Sequence, residues 1–172
     1  MPKNLEVKAR TQRTDAALNV AQSLPASFEG TLFQVDTYFR IQHGRLKLRE
    51  INQKQAELIY YNRPEDDIQR VSDFEIYTCP APEKIKSILE QSIGILTVVT
   101  KERQLFLYHS TRIHIDEVKN LGSFIEFEVP VAGSMSEAKK TMDFLIGRFG
   151  IKKADYELHS YLDLMQNSEM EK

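Results

Sequence analysis

Several short stretches of this sequence carry ionisable side chains at every second position. Arg45-Leu46-Lys47-Leu48-Arg49 places three cations on one side of an extended chain and two leucines on the other. Lys101-Glu102-Arg103 and Glu126-Phe127-Glu128 repeat that spacing, the first with two cations on one face and the second with two carboxylates. Asn4, Glu6, Lys8 and Arg10 alternate with Leu5, Val7 and Ala9, while Arg112, His114 and Asp116 alternate with Ile113 and Ile115. In any single strand this is how a solvated outer face reads. Segregation by sign is not part of that reading, because neighbouring like charges repel and such faces cost energy without an opposing partner. A polyanion complexed with a divalent metal would satisfy both kinds of face. Arginine forks and lysine point charges would hold phosphate oxygens, and the carboxylates, hard oxygen ligands, would hold magnesium or manganese. The chemistry indicated is a charge-lined lumen of triphosphate size.

The elements that must position these residues follow from periodicity. Alternation of period two predicts strands over 4–10, 32–41, 45–49, 57–61, 70–77, 94–103, 104–116 and 124–129, with His43-Gly44 and Asn120-Leu121-Gly122 as turns. Helices are expected from a Thr14/Asp15 cap to Pro25, over 83–91, from the Ser134/Glu137 capping box through Ile146, and over 155–165. Residues 166–172 read as a frayed polar tail. Eight antiparallel strands with a few outer helices predict an α+β fold built on a closed eight-stranded barrel, since closure removes exposed edges. With no repeat or linker, 1–172 is expected to be a single domain.

Composition limits the partners. A net charge of −2 with 28% charged residues gives no protein-wide field for nucleic acid or an anionic membrane, so basic sites must be local. Cys79 is the only cysteine, and no apolar run approaches bilayer length. A reducing, cytoplasmic setting is expected, with neither nucleic acid nor membrane as partner; a homodimer is one open option. His109, His114 and His159 lack a zinc spacing, and His114 alone falls on a candidate face. Tyr156 and Tyr161 are expected to pack the last helix.

Taken together, Glu6-Val7-Lys8, Asp36-Thr37-Tyr38-Phe39, Leu46-Lys47-Leu48-Arg49, Lys101-Glu102-Arg103, Ile115-Asp116-Glu117-Val118, Leu121-Gly122-Ser123-Phe124 with Glu126-Phe127-Glu128, and Ser160-Tyr161-Leu162-Asp163-Leu164 resemble the CYTH superfamily of triphosphate tunnel metalloenzymes. The last motifs are most similar to its class IV adenylyl cyclase branch. The resemblance implies that Glu6, Glu126 and Glu128, with Asp116 nearby, ligate Mg2+ or Mn2+. It implies that Lys8, Lys47, Arg49, Lys101 and Arg103 bind phosphate, with Arg10 and Arg112 as additions, and that Glu6, Lys8 and Arg103 take part in catalysis. Glu75 stands where such proteins often have another inward acid. Two positions depart from the family pattern: Asn4 replaces a leading glutamate, and Tyr61 stands near a customary lysine, for which Arg63 is the neighbouring substitute.

The expected activity is conversion of ATP to cyclic AMP and pyrophosphate, in which the ribose 3′-hydroxyl attacks the α-phosphorus. The same architecture would serve a triphosphatase acting on inorganic triphosphate, thiamine triphosphate or a nucleotide. A non-catalytic module binding triphosphate or polyphosphate is the alternative from another class. A nucleic-acid barrel ranks below these, because Glu6, Glu126 and Glu128 would repel phosphate unless metal intervened.

Overall fold

A computed structural model describes residues 2–62 and 67–172; Arg63 therefore lies outside the described residues. In chain order the elements are β1 (Lys3–Thr11), α1 (Thr14–Ser23), β2 (Ser27–Phe39), β3 (Arg45–Ile51), β4 (Gln55–Asn62), β5 (Arg70–Thr78), α2 (Pro82–Ser92), β6 (Ile95–Tyr108), β7 (Thr111–Val118), β8 (Gly122–Pro130), α3 (Met135–Arg148), a 3₁₀ turn (Lys153–Asp155) and α4 (Tyr161–Met170). The strands close into the expected eight-stranded antiparallel barrel, and their order around it is β1-β5-β4-β3-β2-β6-β7-β8.

Turn chemistry fixes the meander. Asn52 and Gln53 both have positive φ, 52° and 57°, and the Lys54 amide donates to the Ile51 carbonyl at 3.0 Å, closing a tight β3–β4 hairpin. Gly44 has φ +68°, a backbone conformation that favours glycine, and a Cβ there would lie 2.7 Å from the outer edge of the Tyr60 ring, which would have to shift.

Three sequence expectations need correction. No turn falls at Arg103-Gln104: β6 runs unbroken to Tyr108, and the chain reverses at His109-Ser110, with His109 at φ 52°. The alternation expected at Lys101-Glu102-Arg103 holds and continues past it, with Lys101 and Arg103 buried and Thr100 and Glu102 exposed. Helix α1 starts without a side-chain cap from Thr14 or Asp15, whereas the Ser134–Glu137 capping box is present. The last helix begins at Tyr161, after a second capping box of Ser160 and Asp163, and runs to Met170 through residues expected to fray.

The barrel is apolar outside and charged within. Leu5, Val7, Ile113, Ile115, Ile125, Phe127 and Val129 point outward, where Ala17, Ala21 and Leu24 of the α1 region and Ala138, Met142 and Leu145 of α3 cover them. A smaller cluster of Phe39, Leu48, Ala56 and Cys79 is covered by Ile85 and Leu89 of α2. Burying each such side chain is worth about 1.5–3 kcal/mol, so the helices stabilise a sheet whose inner face can remain polar. Among the described residues no helix is long and apolar enough to cross a membrane.

Candidate active site

Period-two alternation brings one set of side chains from all eight strands into the lumen. They line a cavity of about 520 Å³ that includes Glu6 and Lys8 of β1, Gln34 and Tyr38 of β2, Lys47 and Arg49 of β3, Arg103 of β6, Arg112 of β7, and Glu126 and Glu128 of β8. One end is closed by the C-terminal segment. The Lys8 ammonium donates to the His159 carbonyl at 3.3 Å, buried Arg70 donates to the Leu158 carbonyl, and Arg45 donates to both Asp163 oxygens at 3.1 and 2.9 Å. Tyr161, Leu162 and Met165 then pack on Tyr38, Val99 and Phe124 inside the barrel. The far end of the cavity is lined by Leu32, Ile51, Ile76, Pro130 and Val131.

The cationic wall is organised by Asp36, which sequence reasoning left out of the site. Its carboxylate accepts from Lys47 at 3.0 Å, from Lys101 at 2.9 Å, and from two nitrogens of Arg49 at 2.8 Å each. Burial alone would raise the Asp36 pKa, but Arg49, Lys101 and Lys47 hold it well below the ordinary aspartate value. One carboxylate therefore cancels part of the repulsion among three cations and leaves an excess of positive charge. Lys101 itself sits behind Asp36 and does not line the cavity; burial, opposed by Asp36 and reinforced by Arg49, Arg103 and Lys47, pulls its pKa down.

Asp116 plays the corresponding part for Arg103. Wholly buried, it accepts two 2.7 Å hydrogen bonds from Arg103 and a third, also 2.7 Å, from the Tyr161 hydroxyl. One of those bonds goes to Oδ1 and two go to Oδ2, so Asp116, expected as a metal ligand, is engaged here in holding Arg103 and Tyr161. Tyr161 likewise does more than pack a helix: Lys8 Nζ lies 4.0 Å from its ring centroid, and Tyr161 borders the cavity. Burial, with Asp116 and Glu126 close by, raises its pKa well above the phenol value, so the hydroxyl stays a donor.

The acidic residues gather on the opposite wall. In the β1–β8 ladder Glu6 faces Glu128 and Lys8 faces Glu126; the Ser72 hydroxyl donates to Glu6. Burial and the neighbouring Glu6 and Glu126 raise the Glu128 pKa, with Arg112 and Arg103 opposing. His114, beside Glu126 in the β7–β8 ladder, completes a compact group: one ligand atom from each of His114, Glu126 and Glu128 lies within 4.8 Å of the others. His114 is 0% exposed, and neither ring nitrogen has a hydrogen-bond partner among the described residues. Burial and the cations Arg103, Arg112, Arg49 and Lys101 hold it well below the usual histidine value, hence as neutral imidazole. The orphaned nitrogens and crowded carboxylates fit a divalent cation.

Two other expected site residues lie elsewhere. Arg10 is exposed beyond the closed end, its Nε 2.8 Å from Glu157 Oε2 and its guanidinium 5.0 Å from the Phe124 ring centroid. Glu75 is exposed, because Ser72, Phe74 and Ile76 are the β5 residues that face the cavity and Glu75 alternates with them. The departures Asn4 and Tyr61 both line the cavity.

Comparison with known proteins agrees with this geometry. A Pyrococcus horikoshii protein superposes with a TM-score of 0.84 at 23% identity, over 94% of this chain and 98% of its own. A proposed adenylate cyclase from Vibrio parahaemolyticus gives 0.77 at 20% identity, over 95% and 97% of the two chains. A Hippeastrum protein, described as a proposed adenylyl cyclase with a dominant triphosphatase activity, gives 0.74 at 10% identity, over 98% and 96%. At these identities the likeness is one of fold, and a search of the curated proteins finds no match. The sequence model of the CYTH domain, however, matches residues 2–161. A closed eight-stranded barrel with a charged lumen, carried by that match over nearly its whole length, belongs to the CYTH domain family.

Proposed function

We propose that this chain converts ATP to cyclic AMP and pyrophosphate with a divalent metal. The observation that supports the reading is the change of lining along the cavity: Lys8, Lys47 and Arg103 lie toward the closed end, and Leu32, Ile51, Ile76, Pro130 and Val131, interspersed with Lys3 and Glu57, line the other. A polyphosphate tail seats among the cations, leaving a nucleoside at the apolar end. Arg49 and Arg103, fixed by Asp36 and Asp116, hold the β- and γ-phosphates in a set orientation. Glu6, Glu126 and Glu128 hold the Mg2+ or Mn2+ ion, which when bound neutralises charge on the phosphate oxygens. The 3′-oxygen forms a bond to the α-phosphorus as the bond to the bridging oxygen of pyrophosphate breaks, and the hydroxyl proton leaves to solvent. A reducing, cytoplasmic setting accords with the unpaired Cys79.

Hydrolysis of a triphosphate is the second reading. It is favoured by the cation density at the closed end, which would grip a terminal phosphate whatever is attached at the far end. The test is to incubate the protein with ATP, or with inorganic triphosphate, in Mg2+ and in Mn2+ and to resolve the products by chromatography. Cyclic AMP with pyrophosphate supports the cyclase; orthophosphate without cyclic product moves the activity to hydrolysis; tight binding without turnover leaves a binding module. Glu126→Gln is expected to reduce any metal-dependent turnover by about 100-fold while leaving the fold intact.

A further inference from the structure

Beyond the carboxylates, the inward face of β7 carries a wholly buried side chain with ligand capacity and no assigned partner. His114 projects from the middle of β7, on the face that carries Asp116 and Arg112, and its Nδ1 lies 4.0 Å from Glu128 Oε1. It is 0% exposed, both ring nitrogens lack hydrogen-bond partners among the described residues, and it stands directly across the β7–β8 ladder from Glu126. A buried imidazole with nothing to bond is costly, by about 1–3 kcal/mol for each unsatisfied polar group. Hydrophobic packing explains it poorly, since a leucine of similar volume would fill the space without that cost. The grouping of one atom each from His114, Glu126 and Glu128 within 4.8 Å is the spacing at which a single ion, about 2.0–2.4 Å from each ligand, touches all three.

We propose that His114 is a direct metal ligand together with Glu126 and Glu128, making this a mixed nitrogen–oxygen site that takes Mn2+ in preference to Mg2+. Imidazole suits first-row transition metals, whereas Mg2+ takes oxygen ligands and keeps its waters. Exposed His43, His109 and His159 cannot compete from within the barrel. This inference rests on the metal-dependent reading above and adds to it the identity of one ligand and the preferred ion.

The test uses the full chain with Mn2+ and inorganic triphosphate and reads metal binding rather than turnover. Pulsed electron paramagnetic resonance of the Mn2+ complex is expected to show coupling to a directly bound nitrogen, which changes frequency when the protein carries 15N-histidine. The coupling is lost in His114→Leu, where Mn2+ affinity measured by titration falls about 10-fold or more and Mg2+ affinity by less than about 3-fold. The isotope experiment needs no variant, so a failure of His114→Leu to fold leaves the answer readable. Mn2+ that binds in a manner dependent on Glu126 but shows no nitrogen coupling overturns the inference and leaves the metal-dependent reading standing. Absence of Mn2+ binding even with triphosphate overturns both.

Discussion

Arg103 lies against Asp116 as a fork against a fork, its Nε and one terminal nitrogen each donating at 2.7 Å to a different carboxylate oxygen. The same terminal nitrogen is 3.6 Å from Glu126 Oε2, so Arg103 spans the boundary between the cationic and acidic walls. Both partners of the pair are buried, and Tyr161 fixes the carboxylate from a third direction. A guanidinium held this way keeps its orientation in the absence of substrate, which is the preorganisation that phosphate recognition needs.

Arg103→Lys is therefore not conservative. The ammonium retains the charge but cannot reproduce the planar pair of donors. Triphosphate affinity is expected to fall by about 30- to 1000-fold, corresponding to about 2–4 kcal/mol, as measured by titration calorimetry. Equal affinity in Arg103→Lys and the parent would show that the fork is not used.

Asp36 concentrates compensation for three basic side chains in one carboxylate, because Lys47, Arg49 and Lys101 all bond to it. Asp36→Asn leaves Lys47, Arg49 and Lys101 in a buried wall without their shared carboxylate, with an expected loss of about 3–5 kcal/mol in urea unfolding. Polyphosphate supplies the missing negative charge. Inorganic triphosphate should consequently raise the melting temperature of Asp36→Asn by more than it raises that of the parent. The pH dependence has a definite sign: a depressed native pKa contributes stability present above the unfolded aspartate value of about 3.9 and lost as pH falls through the native value. Asp36→Asn should flatten that acid limb of the stability curve.

Much of the barrel was legible because a half-buried strand must alternate, and the alternation of Arg45-Leu46-Lys47-Leu48-Arg49 leaves one orientation compatible with a core. The sign of each face was legible for the same reason. Asp36 was not, since a lone acid between Val35 and Thr37 acquires its meaning only when β2 lies between β3 and β6, and pairing register is a long-range property. The end of β6 was missed because His109-Ser110 carries no glycine or proline to mark a reversal, and the left-handed backbone of His109 is visible only in the fold. His114 had a signal, its place on the face with Arg112 and Asp116, but the proximity of Glu126 and Glu128 depends on β7–β8 register.

Glu128 illustrates a site kept at some cost to stability. Burial and its neighbours Glu6 and Glu126 raise its pKa, so its ionised form opposes folding at neutral pH, and that penalty fades as pH falls through the raised native value toward the unfolded one. Glu128→Gln is expected to stabilise the metal-free protein at pH 7 by about 0.5–2 kcal/mol in urea unfolding. The Arg112 guanidinium, half-exposed and 3.8 Å from Glu128, attracts the carboxylate too weakly to reverse that sign. Below about pH 4 the two proteins should converge, and Mn2+ should stabilise the parent more than Glu128→Gln.

The closed end depends on Asp163. Its carboxylate accepts from Arg45 and from the Ser160 amide at 3.0 Å, while its own amide donates to the Ser160 hydroxyl at 3.2 Å, so one residue both caps α4 and ties it to β3. Burial raises the Asp163 pKa, but Ser160 and Arg45 outweigh it and hold the value below normal. Asp163→Asn weakens the cap and the charge pair together, an effect of about 1 kcal/mol on α4 docking. Because Tyr161, Leu162 and Met165 still pack inside the barrel, the helix should stay bound on average and open more often. Hydrogen exchange is the direct measure: amides of α4 should exchange about fivefold faster in Asp163→Asn at pH 7, while β7 and β8 amides keep the parent rate. In the parent, α4 exchange relative to those strands should also accelerate as pH falls through the depressed Asp163 value. If α4 protection is unchanged, the end of the tunnel is closed by apolar packing alone, and the Arg45–Asp163 pair serves the mouth of β3 instead.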